Sequence, residues 1–476
     1  LNRQLYFAVR DAILDARLQP GTRLPSTRAL ADDLAVSRNT VMAAFEQLLA
    51  EGYIEGRVGA GSFVSRELPE ETLHARVALV ARRQRGAGAP GLSQRGAHLA
   101  SLRDDTTRPS AFSPGLPELA AFPFEEWARL LAKHWRSPPR SFLIGGDPAG
   151  HRPLREAIAA YLGAARAVTC SPDQVFVVSG AQQALDLTMR VLIDPGDTVW
   201  IEEPGYPGLR GALIASGAEL AHVPVNAEGL DVEAGRQLAP QARMACVSPS
   251  HQYPLGVTMS LSRRLALLEW ASSADAFVLE DDYDSEYRYA GRPLAALQGL
   301  DADGRVIYVG TMSKVMFPGL RLGYMVVPEH LVDAFRAVRR LADTHPPMSI
   351  QPALAEFIEA GHLSAHIRRM RSLYAERQQL LLEACRKQLA GRLELRPDEA
   401  GMHLVASLPD HVNDAAVSAA ARALGVEAPA LSTYFHRLPP RRGLLLGYAG
   451  VTEGEIAAGV RKLGDAIARA TGGADA

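Results

Sequence analysis

Along the first sixty-six positions, apolar residues recur at helical spacing. In 4–17 (QLYFAVRDAILDAR), Leu5, Ala8, Val9, Ala12 and Ile13 share one face, which predicts an amphipathic helix. Pro20 and Gly21 stop it. Ser26, with Pro25 just outside, predicts the N-cap of a helix through about Leu34. After a short turn near Val36, Ser37 predicts the cap of a longer helix to about Ala50. Two helices joined by a tight turn, the second opening SRNT, form a helix-turn-helix. Past Gly52, YIEGRVGAGSFV alternates around Gly56, Gly59 and Gly61, as a two-stranded wing does. Between 67 and 110, glycine, alanine, proline and arginine dominate and apolar periodicity lapses after about Val80. That stretch is expected to be a flexible linker with a short helix at 70–83. From Ala111 on, short β-rich runs (VFVVSG, TVWIEEPG, ELAHVPV, RMACVSPS, AFVLEDDY, RVIYVGTMSK, YMVVP) alternate with helical stretches. This predicts an α/β fold around a largely parallel sheet, with its chemistry in the loops at strand ends.

At 476 residues with 47% apolar and 22% charged content, the chain can bury several cores, which excludes disordered, collagen-like and disulfide-scaffold classes. No run of about 18 apolar residues predicts a membrane span, and the first residues lack a signal-peptide layout, so a cytoplasmic protein is expected. Cys170, Cys246 and Cys385 are too few and too scattered for a disulfide framework or a zinc site. The net charge of −2 makes any nucleic-acid case a local one. Only four of the 51 basic residues are lysines: Lys133, Lys314, Lys387 and Lys462. Lysine can form an imine and arginine cannot, so amine chemistry has four candidates.

In a helix-turn-helix, the second helix enters the major groove with its first residues leading. Arg38 and Asn39 suit guanine and adenine edges, Ser37 and Thr40 suit phosphate, and Ser26, Thr27 and Arg28 can hold phosphate at the start of the other helix. Eight arginines against seven carboxylates through Arg66 leave a plain helical bundle as the competing reading. The ordered string decides between them. Leu24-Pro25-Ser26, Arg28, Leu30-Ala31, Val36-Ser37-Arg38, Thr40-Val41, Glu51-Gly52-Tyr53 and the glycine wing with Gly61 closely resemble the GntR-type winged helix-turn-helix, which implies binding to a double-stranded operator.

Five strand ends carry further chemistry. SGAQQALDL (179–187) opens a helix where the amides of Gly180, Ala181 and Gln182 can cradle a phosphate. EEPGYPG (202–208) places Tyr206 where it can lie on an aromatic ring. SPSHQYPLG (248–256) offers His251 and Gln252 as donors. AFVLEDDYDSEY (276–287) ends an apolar run in three carboxylates and Tyr283, and GTMSKVMFPGLRLGY (310–324) sets Lys314 among Thr311, Ser313 and Arg321. An imine-forming lysine, a carboxylate for a pyridinium, a stacking ring and a phosphate cup are the parts that hold pyridoxal 5'-phosphate.

Their order and spacing resemble the fold type I aminotransferases across roughly 110–465, and a GntR head fused to such a domain resembles the MocR family of bacterial regulators. The resemblance implies a DNA-binding domain at 1–66, the linker at 67–110, and a pyridoxal-phosphate domain at 111–476. Its large part would span about 145–335 and its small part about 111–144 plus 336–476. It further implies that Lys314 carries the cofactor, and that Asp281, or Asp282 one register on, pairs with the pyridine nitrogen. Tyr283 would contact the ring hydroxyl with His251 or Gln252, Tyr206 would stack, and Gly180, Ala181, Gln182, Thr311, Ser313 and Arg321 would hold the phosphate. A homodimer is implied as well. Two positions depart from the aminotransferase pattern. Leu445, in LLLGYA (444–449), stands where an arginine usually fixes the substrate α-carboxylate, and Gly145 stands where a tyrosine often reaches the partner's phosphate. The expectation is a transcriptional regulator sensing pyridoxal phosphate, an amine or an amino acid. The alternative is a working aminotransferase with an accessory head.

Overall fold

The computed structural model describes residues 1–57, 60–66, 91–102, 110–290 and 294–472. They form two compact units that divide between Ser93 and Gln94. The first holds α1 (Asn2–Leu14), α2 (Thr27–Asp33), α3 (Arg38–Ala50) and a hairpin of β1 (Ile54–Arg57) and β2 (Gly61–Val64). Both expected caps form: Ser26 Oγ accepts the Ala29 amide at 3.1 Å, and Ser37 Oγ the Thr40 amide at 3.2 Å. The apolar faces close on Tyr6, Ile13, Val41, Phe45, Leu48 and Val64. In the hairpin Arg57 pairs with Gly61, whose φ of +106° is a backbone conformation that side chains disfavour. Gly59 and the helix expected at 70–83 lie outside the described residues.

Gln94–Ser101, expected within a flexible linker, is a helix. Arg95 donates from Nη1 to the Ala215 carbonyl at 3.0 Å, in the last turn of helix Pro207–Ser216. Carbonyls there have no partner within their own helix, and the guanidinium supplies one.

The second unit is built on an eight-stranded sheet in the order β3-β10-β9-β8-β7-β4-β5-β6. The strands are β3 (Val175–Val178), β4 (Thr198–Glu203), β5 (Glu219–Asn226), β6 (Gly229–Leu230), β7 (Met244–Val247), β8 (Phe277–Asp282), β9 (Val306–Thr311) and β10 (Gly323–Val326). β5, β4, β7, β8 and β9 pair in parallel, while β10 runs antiparallel between β9 and β3. β3, β7 and β9 are buried along their whole length, as strands covered by helices on both faces must be. Helices Ala181–Leu192 and Pro207–Ser216 close one apolar layer, and Val232–Leu238 with Leu261–Ser273 close the other. A small antiparallel sheet of β11 (Glu394–Leu395), β12 (His403–Ser407) and β13 (Gly443–Gly447) accompanies helices His362–Gln388, Asp414–Ala423 and Glu453–Thr471. From β4 the chain winds to β5 on one side and returns to β7 on the other. Ligands of open α/β sheets bind at such a reversal, beyond the carboxyl ends of the strands.

Candidate functional site

In the first unit, Arg38 and Asn39 stand exposed in the first turn of α3, with no side-chain hydrogen bond or ion pair among the described residues. The hydroxyls of Ser37 and Thr40 lie 2.8 Å apart, so each can donate or accept beside them. Thr27 and Arg28 lie in the first turn of α2, with Arg28 exposed, and Gly61 is exposed at the start of β2. The cap that fixes the start of α3 therefore also aims the side chains that face outward.

In the second unit, the carboxyl ends of β4, β7 and β8 enclose a narrow cleft lined by Glu202, Tyr206, Arg210, Ser248, Asp281 and His436. Asp281 and Asp282 alternate on β8 and meet opposite surroundings. Asp282 Oδ2 takes Arg166 Nε at 2.8 Å and the Tyr308 hydroxyl at 2.6 Å in a buried pair. Each keeps a buried Oδ1 without a partner among the described residues; what separates them is that Asp281 lines the cleft and has no ion pair there, while Asp282 is held through Oδ2. Burial pushes the Asp281 carboxyl up to about 7, helped by the charges of Asp282 and Asp284 and eased by Lys314. Lys314 follows β9 and donates from Nζ to the Gly115 carbonyl at 2.9 Å. Burial holds its amine below the usual lysine range, against the pull of Asp284 and Asp281. Of the other lysines, Lys133 is tied to Glu356 at 2.8 Å, and Lys387 and Lys462 lie on the outer helices.

Tyr206 is 39% exposed and meets Tyr253 edge-on, with ring centroids 5.9 Å apart. Gln182 donates from Nε2 to the Gly208 carbonyl at 2.9 Å, which ties the Tyr206 loop to the start of helix Ala181–Leu192. Gly180 adopts φ +86°, a conformation side chains rarely take, beside the Arg321 guanidinium, which donates to the Ser179 carbonyl at 3.0 Å. Thr311 Oγ1 accepts the Ser313 amide at 3.1 Å. Gly180, Ala181 and Arg321 thus gather at one strand-to-helix turn, while Thr311 ends β9 and Ser313 and Lys314 follow it. The residues fit pyridoxal phosphate: a partnerless buried carboxylate oxygen, a depressed amine, and a guanidinium over a glycine at a helix start.

His251 Nδ1 and the Gln252 amide are engaged within the protein, while His251 Nε2 has an ion-pair neighbour but no hydrogen bond among the described residues. His251 lies between Tyr283, Asp284 and Asp398, and Gln252 gives Nε2 hydrogens to the carbonyls of Pro204 and Tyr253. Sequence reasoning missed Glu202, Glu203 and Arg210. The Glu202 carboxyl is pushed up to about 8 by burial, although Gln252 and the Ser248 amide offset part of that, and its Oε1 lacks a partner. Glu203 anchors a loop: Oε2 meets His222 Nδ1 at 2.6 Å, and Oε1 accepts the amides of His436, Arg437 and Leu438. Two acids closing an apolar strand, where one would cap it, were the available signal. Leu445 is fully buried with Leu431 and Tyr434, and Arg442 is engaged by Asp414 at 3.0 Å. A side chain at Gly145 would meet nothing within 4 Å.

Residues 1–64 match the gntR family of bacterial regulatory proteins, and residues 116–463 match the class I and II aminotransferases. The chain is 45% identical over 470 residues to the probable rhizopine catabolism regulatory protein MocR of Rhizobium meliloti, a match spanning 98% of this chain and 94% of that protein. It is 30% identical to the HTH-type pyridoxine biosynthesis transcriptional regulator PdxR of Corynebacterium glutamicum, with 98% and 95% covered. Among solved structures, kynurenine aminotransferase of Pyrococcus horikoshii superposes with a TM-score of 0.70 at 28% identity, over 82% of this chain and 99% of that one. The α-aminoadipate aminotransferase LysN of Thermus thermophilus gives 0.70 at 28%, over 80% and 96%. No described helix is long and apolar enough to cross a membrane.

Proposed function

This chain belongs to the MocR-type transcriptional regulators, in which a GntR-family head precedes a fold type I aminotransferase domain, and we infer that its larger unit senses pyridoxal phosphate, or an amine or amino acid held by it, and passes that state to the head. The carrying observation is the partnerless buried oxygen of Asp281 on the wall of the cleft, with the depressed amine of Lys314 close enough to lower its charge penalty.

The chemistry supplied by pyridoxal phosphate is a carbonyl that takes up primary amines reversibly. Lys314 offers an amine that burial keeps readier to lose its proton than an exposed lysine. Asp281, rather than the already paired Asp282, offers an acceptor to a protonated ring nitrogen. Tyr206 supplies a ring face, Tyr283 a phenol, and the Gly180–Gln182 amides with Thr311, Ser313 and Arg321 supply a cup for a phosphate. In the head, Arg38 and Asn39 read bases while Ser37, Thr40, Ser26, Thr27 and Arg28 engage phosphates, with Gly61 admitting the wing to the backbone.

The regulator acts in the cytoplasm as a homodimer that presents two heads to one operator. An effector shifts DNA binding only as far as it distinguishes the two arrangements of the protein. Leu445 weighs against an aminotransferase, because a buried apolar cluster gives a substrate carboxylate no charged partner.

The test uses the full chain. Purified with pyridoxal phosphate, it is expected to be yellow and to bleach with borohydride, with the reduced adduct on Lys314. Lys314→Ala should keep its fold and lose both the adduct and the effect of cofactor or amine on gel-shift affinity. An adduct on Lys133, Lys387 or Lys462 would sink the site, and an operator affinity blind to cofactor and amines would sink the sensing role.

A further inference from the structure

His251 is 2% exposed and sits between the turn after β8 and the segment leading into β12. Its Nδ1 lies 3.0 Å from the Tyr283 hydroxyl and 3.1 Å from both oxygens of Asp284. On its far side, Nε2 is 3.5 Å from Oδ2 of Asp398. The backbone is shaped around this ring. A Cβ at Gly401 would lie 2.1 Å from His251 Cε1, and one at Gly256 would lie 2.2 Å from the Asp398 carboxylate, so neither position admits a side chain.

A ring that faces a carboxylate at each nitrogen carries both protons, since a lone pair turned to either would be repelled. The charges facing His251 are Asp284 and the Tyr283 phenol from the turn after β8, and Asp398 and His403 from the small-sheet side. His403, with centroids 5.4 Å away, approaches the Pro254 carbonyl at 3.0 Å through Nε2. Burial, together with the charge on His251, holds His403 down at about 4, so it is the neutral ring of the two. Burial alone would neutralise His251 as well, but Asp284 and Asp398 outweigh it and push it to about 10.

A doubly protonated ring has no acceptor at Nδ1, and its one hydrogen there is shared between the Asp284 carboxylate and the Tyr283 hydroxyl. Tyr283 cannot donate to it, so the phenol's own hydrogen is left over: among the described residues, His251 is the hydrogen-bond partner of that phenol. We propose that His251 is a positioning residue, which fixes the Tyr283 hydroxyl as an acceptor on its buried side so that the phenol hydrogen is always offered to an oxygen held in the cleft. A neutral side chain able to accept as well as donate would let that hydrogen turn inward. The inference rests on the cofactor reading above, with Tyr283 facing the ring oxygen of pyridoxal phosphate.

The measurement is the visible absorbance of the full-length protein loaded with pyridoxal phosphate, followed against pH. A donated hydrogen bond stabilises the ring oxygen most where that oxygen carries most negative charge, in the deprotonated form, so losing the donor raises the spectral midpoint. Tyr283→Phe is expected to raise it by about one pH unit, tenfold in the equilibrium. His251→Gln should move it in the same direction, and the double variant should stop where Tyr283→Phe does, because His251 acts through that phenol. Asp398→Asn, on the more accessible side of the ring, should give a smaller rise with the fold intact. A His251→Gln protein that melts earlier but keeps the wild-type midpoint overturns the proposal, and so do shifts that add in the double variant. If His251→Gln does not fold, an unmoved midpoint in Asp398→Asn overturns it instead. Wild-type protein that forms no chromophore fails the cofactor reading itself, a result distinct from all of these.

Discussion

Glu203 supplies a prediction whose size follows from its surroundings. Its side chain is wholly enclosed, with His222 on one oxygen and three successive amides of the 436–438 loop on the other. Burial pushes the carboxyl up, but the His222 bond and the Arg437 and His436 amides outweigh burial and hold it down to about 2. A carboxyl held there, rather than at its ordinary 4.5, makes ionisation worth about 3 kcal/mol to the fold. Because the folded value is depressed, that stability is present in full above about pH 4.5 and is lost as pH falls towards 2. Glu203→Gln keeps the shape and removes the charge. It should cost about 2–3 kcal/mol at pH 7, with the gap to wild type closing through that acid window. Urea unfolding of both proteins at pH 7, 5, 4 and 3 gives the gap, and hydrogen exchange at the His436–Leu438 amides locates it. A gap as wide at pH 3 as at pH 7, or none at pH 7, would refute the reasoning.

Three further outcomes are expected. Arg38→Ala should reduce discrimination between operator and mismatched DNA by about 1–3 kcal/mol in gel shifts at fixed salt; uniform weakening on all sequences would make Arg38 a phosphate contact instead. Ser37→Ala should cost the head about 1 kcal/mol and Ser37→Gly only a few tenths, read from thermal unfolding; equal losses would deny Ser37 its role as cap. With Leu445 in an apolar cluster, a natural α-amino acid forgoes a charge-assisted pair of roughly 1.5–3 kcal/mol, so keto-acid production should be slow; a kcat in the ordinary range of about 1–10³ per second would revive the aminotransferase reading.

What the sequence disclosed was what depends on near neighbours. The caps at Ser26 and Ser37 are three-residue events, and both were legible. So were the strand ends that carry Tyr206, Asp281 and Lys314, because an apolar run that stops at polar residues marks its own end. Partners distant in the chain were not legible. Asp281 and Asp282 look alike in sequence, and what separates them is Arg166, 116 residues away. Glu203 depends on amides more than 230 residues on, and helix Gln94–Ser101 is tied through Arg95 to a carbonyl at Ala215. His251 and Gln252 looked like free donors because nothing local shows that Asp398 or Pro204 claims them.

The contact between Lys314 and Gly115 has a consequence for affinity. The Gly115 carbonyl belongs to a stretch of the larger unit held by backbone bonds, where Phe112 accepts the Gly447 amide and Ala111 the Glu427 amide. An amine bonded to a carbonyl carbon keeps at most one of its three hydrogens. If Lys314 takes up a ligand as proposed, that ligand competes with the protein's own backbone, and a part-buried carbonyl that loses its donor costs on the order of 1–3 kcal/mol. The backbone group that first loses its partner in that event is the Gly115 carbonyl.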